Sequence, residues 1–431
     1  MLVPILKKDS RAEPGTAPAE RSEEARREEA VGLARAIDLE IAHSAIVPVS
    51  RPQPATLIGK GKVEEIGGML DSLDAGLVVV DHPLTPVQQR NLEKEWHAKV
   101  IDRTGLILEI FGARASTREG VLQVDLAHLN YQKGRLVRSW THLERQRGST
   151  SFIGGPGETQ IEADRRILQD KIVKLERELE QVRRTRQLHR AKRKKVPHPV
   201  VALVGYTNAG KSTLFNANTG AGVMAQDMLF ATLDPTLRRM RLPKGRGVIL
   251  SDTVGFISNL PTHLVAAFRA TLEEVLEADL VLHIRDISDP DTAAQAEDVR
   301  AILEELGLGG ENALSRAPVI EVWNKIDRLS PETAAAVAEK AEGMADTVVV
   351  SAVTGEGVGR LLAMVEETLS GRTAHRHVVI GPQEQGTLSW LYENATVEAR
   401  TDREDGFVEL DVEITEHDAR ELDLRLRQAS E

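Results

Sequence analysis

The sequence of 431 residues contains no cysteine. This absence excludes a disulfide framework, thiolate metal sites and catalysis by a cysteine nucleophile. The sequence also has no apolar run near the roughly 18 residues that would cross a bilayer. Residues 1–30 hold no apolar core of a secretory signal, because Arg, Glu and Pro are spread through them. We therefore expect a soluble, cytoplasmic protein, and its 41% of hydrophobic residues are enough for sizeable cores.

The chain as a whole also lacks net positive charge, although one region of it is basic. With 66 acidic and 55 basic residues the chain carries −11, which argues against a nucleic-acid partner. Residues 132–195 nevertheless hold 18 Lys or Arg and 8 Asp or Glu, a balance of +10, so the remainder carries −21. Eight of these cations lie in the basic run, residues 183–195 (RRTRQLHRAKRKK). The run favours contact with a phosphate backbone; a solvated helix end, with cations near its negative pole, is the alternative.

Hydrophobic patterning before residue 196 predicts three parts. Residues 1–39 are assigned to an N-terminal tail and a helix that starts near Ser22. Residues 40–115 alternate apolar runs with amphipathic stretches, which is typical of a parallel sheet with helical crossovers. Residues 116–195 show two narrow apolar stripes around a Gly-rich loop, 148–157, and this predicts an antiparallel helical hairpin. In the second part, we expect strands at Ala45–Val49, Gly76–Asp81 and Lys99–Asp102, and helices at Lys62–Leu73 and Thr85–His97.

Two further parts are predicted after residue 196. Residues 196–372 should form a larger α/β domain, and residues 376–431 a small α+β domain, with Ser370–His377 as the linker. The strands expected in the larger domain are Val200–Val204, Gly247–Ser251, Leu280–Ile284, Val319–Trp323 and Thr347–Val350. The last domain should contain strands at Ala395–Arg400 and Phe407–Ile414 and a helix at Glu416–Arg427.

The strand Val200–Val204 leads directly into a phosphate-binding motif, G-x-x-x-x-G-K-[ST], followed by a helix. Its glycines allow a tight loop whose amides face phosphate oxygens, and the helix N-terminus adds its dipole. Lys211 should reach the β- and γ-phosphates, and Ser212 should hold Mg²⁺. The motif residues expected to bind nucleotide are Gly205, Tyr206, Thr207, Asn208, Ala209, Gly210, Lys211, Ser212 and Thr213.

A second motif predicts which base is bound. Asn324, Lys325 and Asp327 form an N-K-x-D string at the end of a predicted strand. A carboxylate at Asp327 can accept hydrogen bonds from N1–H and the exocyclic amine of guanine, a pair of donors that adenine lacks. Lys325 would lie along the base, and Asn324 would tie this loop to the phosphate loop. The alternative for Asp327 is the N-cap of the next helix. After the last strand, the amides near guanine O6 should come from Ser351, Ala352 and Val353.

Two segments between these motifs should respond to the γ-phosphate. Asp252, Thr253, Val254 and Gly255 form a D-x-x-G string, in which Asp252 would bind Mg²⁺ through water and the Gly255 amide would sense the γ-phosphate. Upstream, Phe230, Ala231 and Thr232 supply a threonine that could close on Mg²⁺, with Thr236 as the competing position. The predicted metal ligands are Ser212, Thr232 and Asp252. The residues expected to act on the transferred phosphate are Lys211, Thr232 and Gly255.

The order of these motifs is that of a P-loop GTPase. The predicted fold class is therefore α/β: a P-loop GTPase domain preceded by a small α/β domain and a helical hairpin, and followed by a small α+β domain. Phe256 stands after Gly255, where many GTPases place the Gln that orients the attacking water. A phenyl ring cannot polarise water, so we predict slow intrinsic turnover that a partner accelerates. Asn208 resembles a position at which some GTPases bind K⁺ beside the phosphates.

Over residues 45–370 the sequence resembles the HflX family of ribosome-associated GTPases. The resemblance rests on strings more specific than the nucleotide motifs: TLIGKGK (56–62), DRTGLIL (102–108), GPGETQ (155–160) and Phe230–Pro235. It implies binding to the large ribosomal subunit and its rRNA, ribosome-stimulated GTP hydrolysis, and splitting of stalled ribosomes under stress. The hairpin loop, residues 147–154, is poorer in Gly and Arg at its start than the family pattern. This difference affects the expected loop–RNA contacts and not the hairpin itself.

Three further expectations accompany the resemblance. Family members hydrolyse ATP through the N-terminal region, for which Lys60 and Lys62 are candidates; a helix-entry turn is the alternative for Gly59–Lys62. A rigid hairpin of charge +10 on an acidic chain suits ribosomal RNA, read by shape and phosphate. An anionic membrane is the secondary candidate for the same cations. We expect a monomer.

Overall fold

The computed structural model describes the chain outside residues 7–20, 147–155, 194–197, 223–228, 231, 234, 259–273, 306, 308–316, 371–372, 383, 404, 416–418, 420–421, 424 and 427–431. Within the two hairpin helices, side chains are described only outside residues 136–162 and 186–197. Predictions that fall on these stretches, including the hairpin loop and most of the basic run, lie outside the described residues.

The N-terminal sheet is parallel and has four strands in the order β2-β1-β3-β4. Its predicted strands and helices are all present, with α1 where a helix was expected near Ser22. The tail predicted for the first residues is wrong at Leu2–Leu6, which pair with β2 because Leu2 and Val3 are buried. The elements are β1 (Leu2–Leu6), α1 (Glu23–Arg35), β2 (Ala45–Val49), α2 (Lys60–Leu73), β3 (Leu77–Val80), α3 (Pro86–Trp96), β4 (Lys99–Asp102) and α4 (Arg103–Arg114).

Local sequence explains where the helices of this region begin. Thr85 and Gln88 form a reciprocal capping box at the start of α3, which satisfies two backbone amides. Asp102, the last residue of β4, accepts a hydrogen bond from the Gly105 amide at 2.8 Å and so caps α4. The strand and the helix therefore meet at one acidic residue.

Two long helices follow, as predicted for a hairpin: α5 (Arg118–Gln146) and α6 (Pro156–Arg193). They pack on each other, and Leu122, Ile172 and Leu179 are buried. Gly134 lies in the middle of α5, where the loss of helix propensity relative to Ala is about 1 kcal/mol. Packing of the apolar stripe overrides that cost.

The second sheet has six strands in the order β10-β9-β8-β5-β7-β6, and only the edge strand β6 is antiparallel. All five predicted strands are present; β6 was not predicted because half of its sequence TLRRMR is arginine, and these three arginines are exposed. The elements are β5 (Val200–Gly205), α7 (Lys211–Thr219), β6 (Thr236–Arg241), β7 (Gly247–Asp252), β8 (Leu280–Asp286), α8 (Thr292–Glu305), β9 (Val319–Asn324), α9 (Pro331–Glu342), β10 (Thr347–Val349) and α10 (Val358–Ser370). The nucleotide motifs follow the carboxyl ends of parallel strands, so they meet at one edge.

The C-terminal sheet is antiparallel, in the order β11-β13-β12. The linker predicted at Ser370–His377 is wrong from Thr373, because these residues pair with β13 along their whole length. The predicted helix at Glu416–Arg427 lies mainly outside the described residues. The elements are β11 (Thr373–Ile380), α11 (Gln385–Asn394), β12 (Thr396–Asp402) and β13 (Val408–Thr415).

One hydrophobic cluster joins the N-terminal region to the six-stranded sheet. It includes Leu33 of α1 and Phe111 of α4 on one side, and Val204, Phe230 and Phe256 on the other. The two regions thus share a hydrophobic core, and the segments around Phe230 and Phe256, near the phosphate loop, contribute side chains to it. In the part of the chain that the structure describes, no helix has the length and apolar character needed to cross a membrane.

Candidate nucleotide-binding site

The phosphate loop is closed around the amino group of Lys211. Its Nζ donates to the backbone carbonyls of Gly205 (3.2 Å) and Tyr206 (2.8 Å), and the side chain is buried. Burial lowers the pKa of Lys211 to about 8, against an opposing contribution from Asp252 and with help from Lys325. The site therefore disfavours the charged form of the amino group relative to water, and a nearby anion would restore the preference for the ammonium.

Three hard oxygen donors converge at the start of α7. Ser212 Oγ lies 2.7 Å from Asp252 Oδ2 and 2.9 Å from Thr232 Oγ1, and Thr232 donates to the same carboxylate oxygen at 3.0 Å. The other oxygen, Asp252 Oδ1, is buried and has no hydrogen-bond partner among the described residues. Burial raises the pKa of Asp252 despite the nearby Lys211 ammonium. Hydroxyl and carboxylate oxygens with an unsatisfied acceptor fit Mg²⁺.

The structure distinguishes the two candidate threonines by position. Thr232 is the one whose hydroxyl reaches Ser212 and Asp252. Thr236 is instead the first residue of β6 and pairs with Asp252 in the backbone register of the sheet. Only the first arrangement brings a threonine hydroxyl into the oxygen cluster.

The D-x-x-G segment packs tightly against the phosphate loop. A Cβ at Gly255 would lie 2.8 Å from Thr207 Cα and 3.0 Å from Lys211 Nζ, so only glycine fits. The backbone of Phe256 bonds to Gly205 and Thr207 on the same loop, through distances of 3.1 and 2.8 Å. Its ring, 2% exposed, lies in the shared hydrophobic cluster and not among the oxygen donors.

The base-recognition loops are tied together by Asn324. Its Nδ2 donates to the Ala209 carbonyl at 2.9 Å, and its Oδ1 accepts from the Ala352 amide at 3.0 Å. The Ala352 amide, expected near guanine O6, thus contacts Asn324 here. Lys325 Nζ pairs with Asp286 Oδ2 at 2.7 Å.

Asp327 is exposed in a short 3₁₀ helix (Ile326–Arg328), open to a ligand. The N-cap of α9 is Ser330, so the capping alternative for Asp327 is not what the structure shows. Ser351 is buried, and its hydroxyl accepts from the Thr354 amide. Val353 is 78% exposed beside it.

Several predicted nucleotide-binding residues point their side chains elsewhere. Phe230 stacks edge-on against Phe111 of α4, with ring centroids 4.9 Å apart. The Thr253 hydroxyl donates to the Leu203 carbonyl, and Val254 is buried in the shared cluster. The Tyr206 hydroxyl turns towards α1 and donates to Glu29. Ala231 lies outside the described residues, whereas Asn208 is exposed with φ 62° and Thr213 lies in the first turn of α7.

The N-terminal lysines considered for ATP are found at a helix start. Gly59 is the N-cap residue of α2, and Lys60 and Lys62 pair with Glu64 and Glu65 on the same helix. Their arrangement matches the helix-entry alternative. The residues that sequence reasoning missed are instead Glu29, Arg103 and Phe111, which face the nucleotide-binding loops from the N-terminal region. Sequence reasoning quoted Arg103 within the string DRTGLIL but gave it no role at the site.

Comparison with known proteins covers nearly the whole chain. Four family models match: "GTP-binding GTPase N-terminal" at residues 24–112, "GTP-binding GTPase Middle Region" at 114–193, "50S ribosome-binding GTPase" at 200–325 and "HflX C-terminal domain" at 336–431. A solved structure of a GTP-binding protein from Sulfolobus solfataricus in complex with GDP is similar, with 22% identity, a TM-score of 0.43, and coverage of 86% of this chain and 99% of that one.

Two curated relatives are similar over most of their length. GTPase HflX of Magnetococcus marinus is 50% identical over 388 residues, which cover 90% of this chain and 87% of the relative. GTPase HflX of Escherichia coli K12 is 45% identical over 371 residues, which cover 86% of this chain and 85% of the relative. The resemblance inferred from short strings therefore holds over the whole architecture, and with the phosphate and guanine motifs at one sheet edge the chain belongs to the HflX family of GTPases, GTP-binding enzymes that hydrolyse GTP.

Proposed function

We propose that this GTPase binds the large ribosomal subunit through its rRNA and uses GTP binding and hydrolysis to split or rescue stalled ribosomes, notably under stress. The observation that carries the proposal is the charge of the hairpin region: residues 132–195 carry +10 on a chain of net −11. Within the described residues, helices α5 and α6 pack on each other and carry part of that charge on a long element, which suits the shape and phosphates of RNA. The "50S ribosome-binding GTPase" match over residues 200–325 points to the same partner.

The geometry of the site supports the following roles. Lys211 would neutralise charge on the β- and γ-phosphates, and the Gly255 amide would sense the γ-phosphate, since Gly255 packs against Thr207 and Lys211. Ser212, Thr232 and Asp252 would hold Mg²⁺, which shields the phosphate charge when bound. Asn208 is the proposed neighbour of a K⁺ ion. Asp327 reads guanine.

We also propose a cytoplasmic monomer. The proposed domains keep the predicted bounds 116–195 and 196–372; residues 1–39 join residues 40–115 through β1, and the C-terminal domain, predicted as 376–431, begins with β11 at Thr373. Membrane association through the same cations is the secondary candidate. Vesicles of anionic phospholipid, tested by flotation beside subunit co-sedimentation, distinguish the two partners.

The test is sedimentation of ribosome profiles with the full chain and GDP, a non-hydrolysable GTP analogue or no nucleotide. We expect the analogue to drive co-sedimentation with the large subunit and loss of intact ribosomes. Full splitting with the analogue would assign hydrolysis to release. Unchanged profiles in all three conditions would contradict the proposal.

A matched pair of variants tests the charge argument. Changing Arg183, Arg184 and Arg186 to Gln should weaken subunit binding and reduce its salt slope by about one per lost phosphate contact. Changing Arg238, Arg239 and Arg241 of edge strand β6 removes the same charge from another surface and should leave the slope unaltered. Equal effects of the two triple variants would mean that only net charge matters.

A further inference from the structure

Arg103 of α4 forms a buried bridge from the N-terminal sheet to the segment after the D-x-x-G string. Its guanidinium pairs with Asp81 and with Glu29, the latter at 2.8 Å. The same Nη2 donates to the Ser258 carbonyl at 2.9 Å. The Arg103 and Glu29 side chains are 5% and 6% exposed, so water cannot replace these contacts. Ser258 is only three residues beyond Gly255.

Tyr206 of the phosphate loop joins the same cluster from the other side. Its hydroxyl donates to Glu29 and accepts from the Ser258 amide at 2.8 Å and from Arg21 at 2.9 Å. Burial would raise the pKa of Glu29, but Arg103 and Arg21 outweigh it and lower that pKa. Burial, followed by the Glu29 charge, raises the pKa of Tyr206 well above its ordinary value. The cluster therefore holds a carboxylate and a neutral phenol, which fixes the directions of its hydrogen bonds.

Asp102, the residue before Arg103, makes the equivalent contacts with the hairpin. It accepts from the Tyr131 hydroxyl at 2.6 Å and from Arg135 Nη2 at 2.7 Å, both on α5. It also caps α4 and accepts from the Leu84 amide at 3.0 Å. With 2% exposure it is held on every side. Two consecutive residues at the β4–α4 junction thus contact the hairpin and the Ser258 segment.

We propose that Asp102 and Arg103 are positioning residues for GTP hydrolysis: they transmit the position of hairpin helix α5 to Ser258 and Tyr206, and so set the D-x-x-G segment against the phosphate loop. Neither residue touches the nucleotide site itself. The signal that α5 supplies rests on the proposed function, in which the hairpin meets rRNA. The contacts that link α5 to Ser258 lie within this chain, so this part of the proposal does not depend on the ribosome.

A purely structural role would have different consequences. Buried ion pairs also hold regions together, and removing one partner leaves an uncompensated charge that destabilises any such interface. Arg103→Lys separates the two roles, because an ammonium keeps the charge beside Asp81 and Glu29 but lacks the fork that also reaches Ser258. Trp96→Phe is the matched control: it deletes a buried hydrogen bond to the Val63 carbonyl in the same region, away from the cluster.

The first experiment is hydrogen exchange of the full chain bound to GDP, which needs no ribosome. We expect Arg103→Lys and Tyr131→Phe each to speed exchange in the peptide containing residues 254–258 at least threefold. Trp96→Phe should change the melting temperature and leave that peptide unaltered. Equal protection in all proteins, or equal loss in the Trp96 variant, would overturn the proposal.

The second experiment is GTP hydrolysis with purified large subunits, for Tyr131→Phe, Tyr206→Phe and the double variant. We expect each single change to lower the stimulated kcat about tenfold with the KM for GTP within twofold. If the residues act along one path, the double variant is about as slow as either single one. Multiplying effects would refute the path. Absence of stimulation in the unaltered protein would refute the proposed function, and the exchange experiment would still decide this inference.

Discussion

Asn324 lies so close to Gly210 that a Cβ on the glycine would stand 2.2 Å from Asn324 Nδ2. The glycine, at φ 92°, lets the amide pass and reach the Ala209 carbonyl. One side chain thereby ties the phosphate loop to the base-recognition loops. The two halves of the nucleotide site are held in register by this contact.

We expect Asn324→Ala to weaken GDP binding about tenfold to hundredfold. The change leaves the buried Ala209 carbonyl and Ala352 amide without their partner, and a combined loss of about 1.4–2.8 kcal/mol in binding free energy corresponds to this factor. Titration calorimetry with GDP measures the loss. An affinity within a factor of two of the unaltered protein would mean that contacts other than those of Asn324 hold the loops together.

Asp327→Asn should change which base is bound and leave the phosphate contacts intact. The carboxylate that accepts from guanine becomes an amide that can donate to the 2-oxo group of xanthine. Competition between GDP and xanthosine diphosphate measures the preference, and we expect it to move towards xanthosine diphosphate. An unchanged preference would remove Asp327 from base recognition.

The affinity for GDP should fall with rising pH above about 8, by up to about tenfold per pH unit. Burial lowers the pKa of Lys211 to about 8, and a bound polyphosphate favours the ammonium, so binding above that pH requires uptake of a proton. Below pH 8 the lysine is already charged and this dependence disappears. In the Lys211→Arg variant the side chain stays charged throughout this range. The titration of guanine affects both proteins equally, so the difference between their curves of GDP affinity against pH reports on Lys211. Parallel curves would contradict the assignment.

Intrinsic GTP hydrolysis should be slow, and Phe256→Gln should not accelerate it. Position 256 faces the shared hydrophobic cluster, so a Gln there loses packing without reaching the phosphates. Phe256→Leu is the control for lost packing. Single-turnover rates of the isolated chain decide: a Gln variant tenfold faster than the Leu variant would show that this side chain can reach the attacking water.

Hydrolysis should be faster in K⁺ than in Na⁺ buffers of equal ionic strength. A cation beside Asn208 would stabilise charge that develops on the phosphates. Asn208→Gly keeps the left-handed backbone at φ 62° and removes only the side chain, so the K⁺ effect should vanish. Equal rates of the unaltered protein in the two buffers would exclude a K⁺ site.

Patterns of hydrophobic residues predicted the sheets and hairpin well, and failed where strands carry charge. Strand β6 reads TLRRMR, and an edge strand needs to bury only one side chain, Met240. The five residues of β1 were not predicted as a strand because they precede a long polar stretch. Strand β1 lies between β2 and β3, so its stability comes from neighbours far along the chain. The β1 failure reflects long-range pairing, which local sequence does not encode. The β6 failure reflects exposure, because β6 pairs with the next strand along the chain but buries too few apolar side chains to show a pattern.

The motifs predicted which residues meet at the site, but not the directions of their side chains. Ser212, Thr232 and Asp252 come together at one sheet edge, because Ser212 lies in the first turn of α7, Thr232 precedes β6 and Asp252 ends β7. Tyr206 and Phe230 were assigned to the nucleotide by position alone, yet Tyr206 turns to Glu29 and Phe230 to Phe111. Glu29 lies 177 residues before Tyr206, and no periodic pattern in the sequence predicts a contact between the two.

The contact of Phe111 with Phe230 has a consequence for how the protein folds. Because the two rings pack edge to face inside one hydrophobic cluster, the segment that carries Thr232 is buried partly against α4. An excised fragment of residues 196–372 would expose Phe230, Phe256 and Ile257 as one apolar patch, a surface prone to association. We therefore expect the GTPase region and the N-terminal region to unfold together in one cooperative transition.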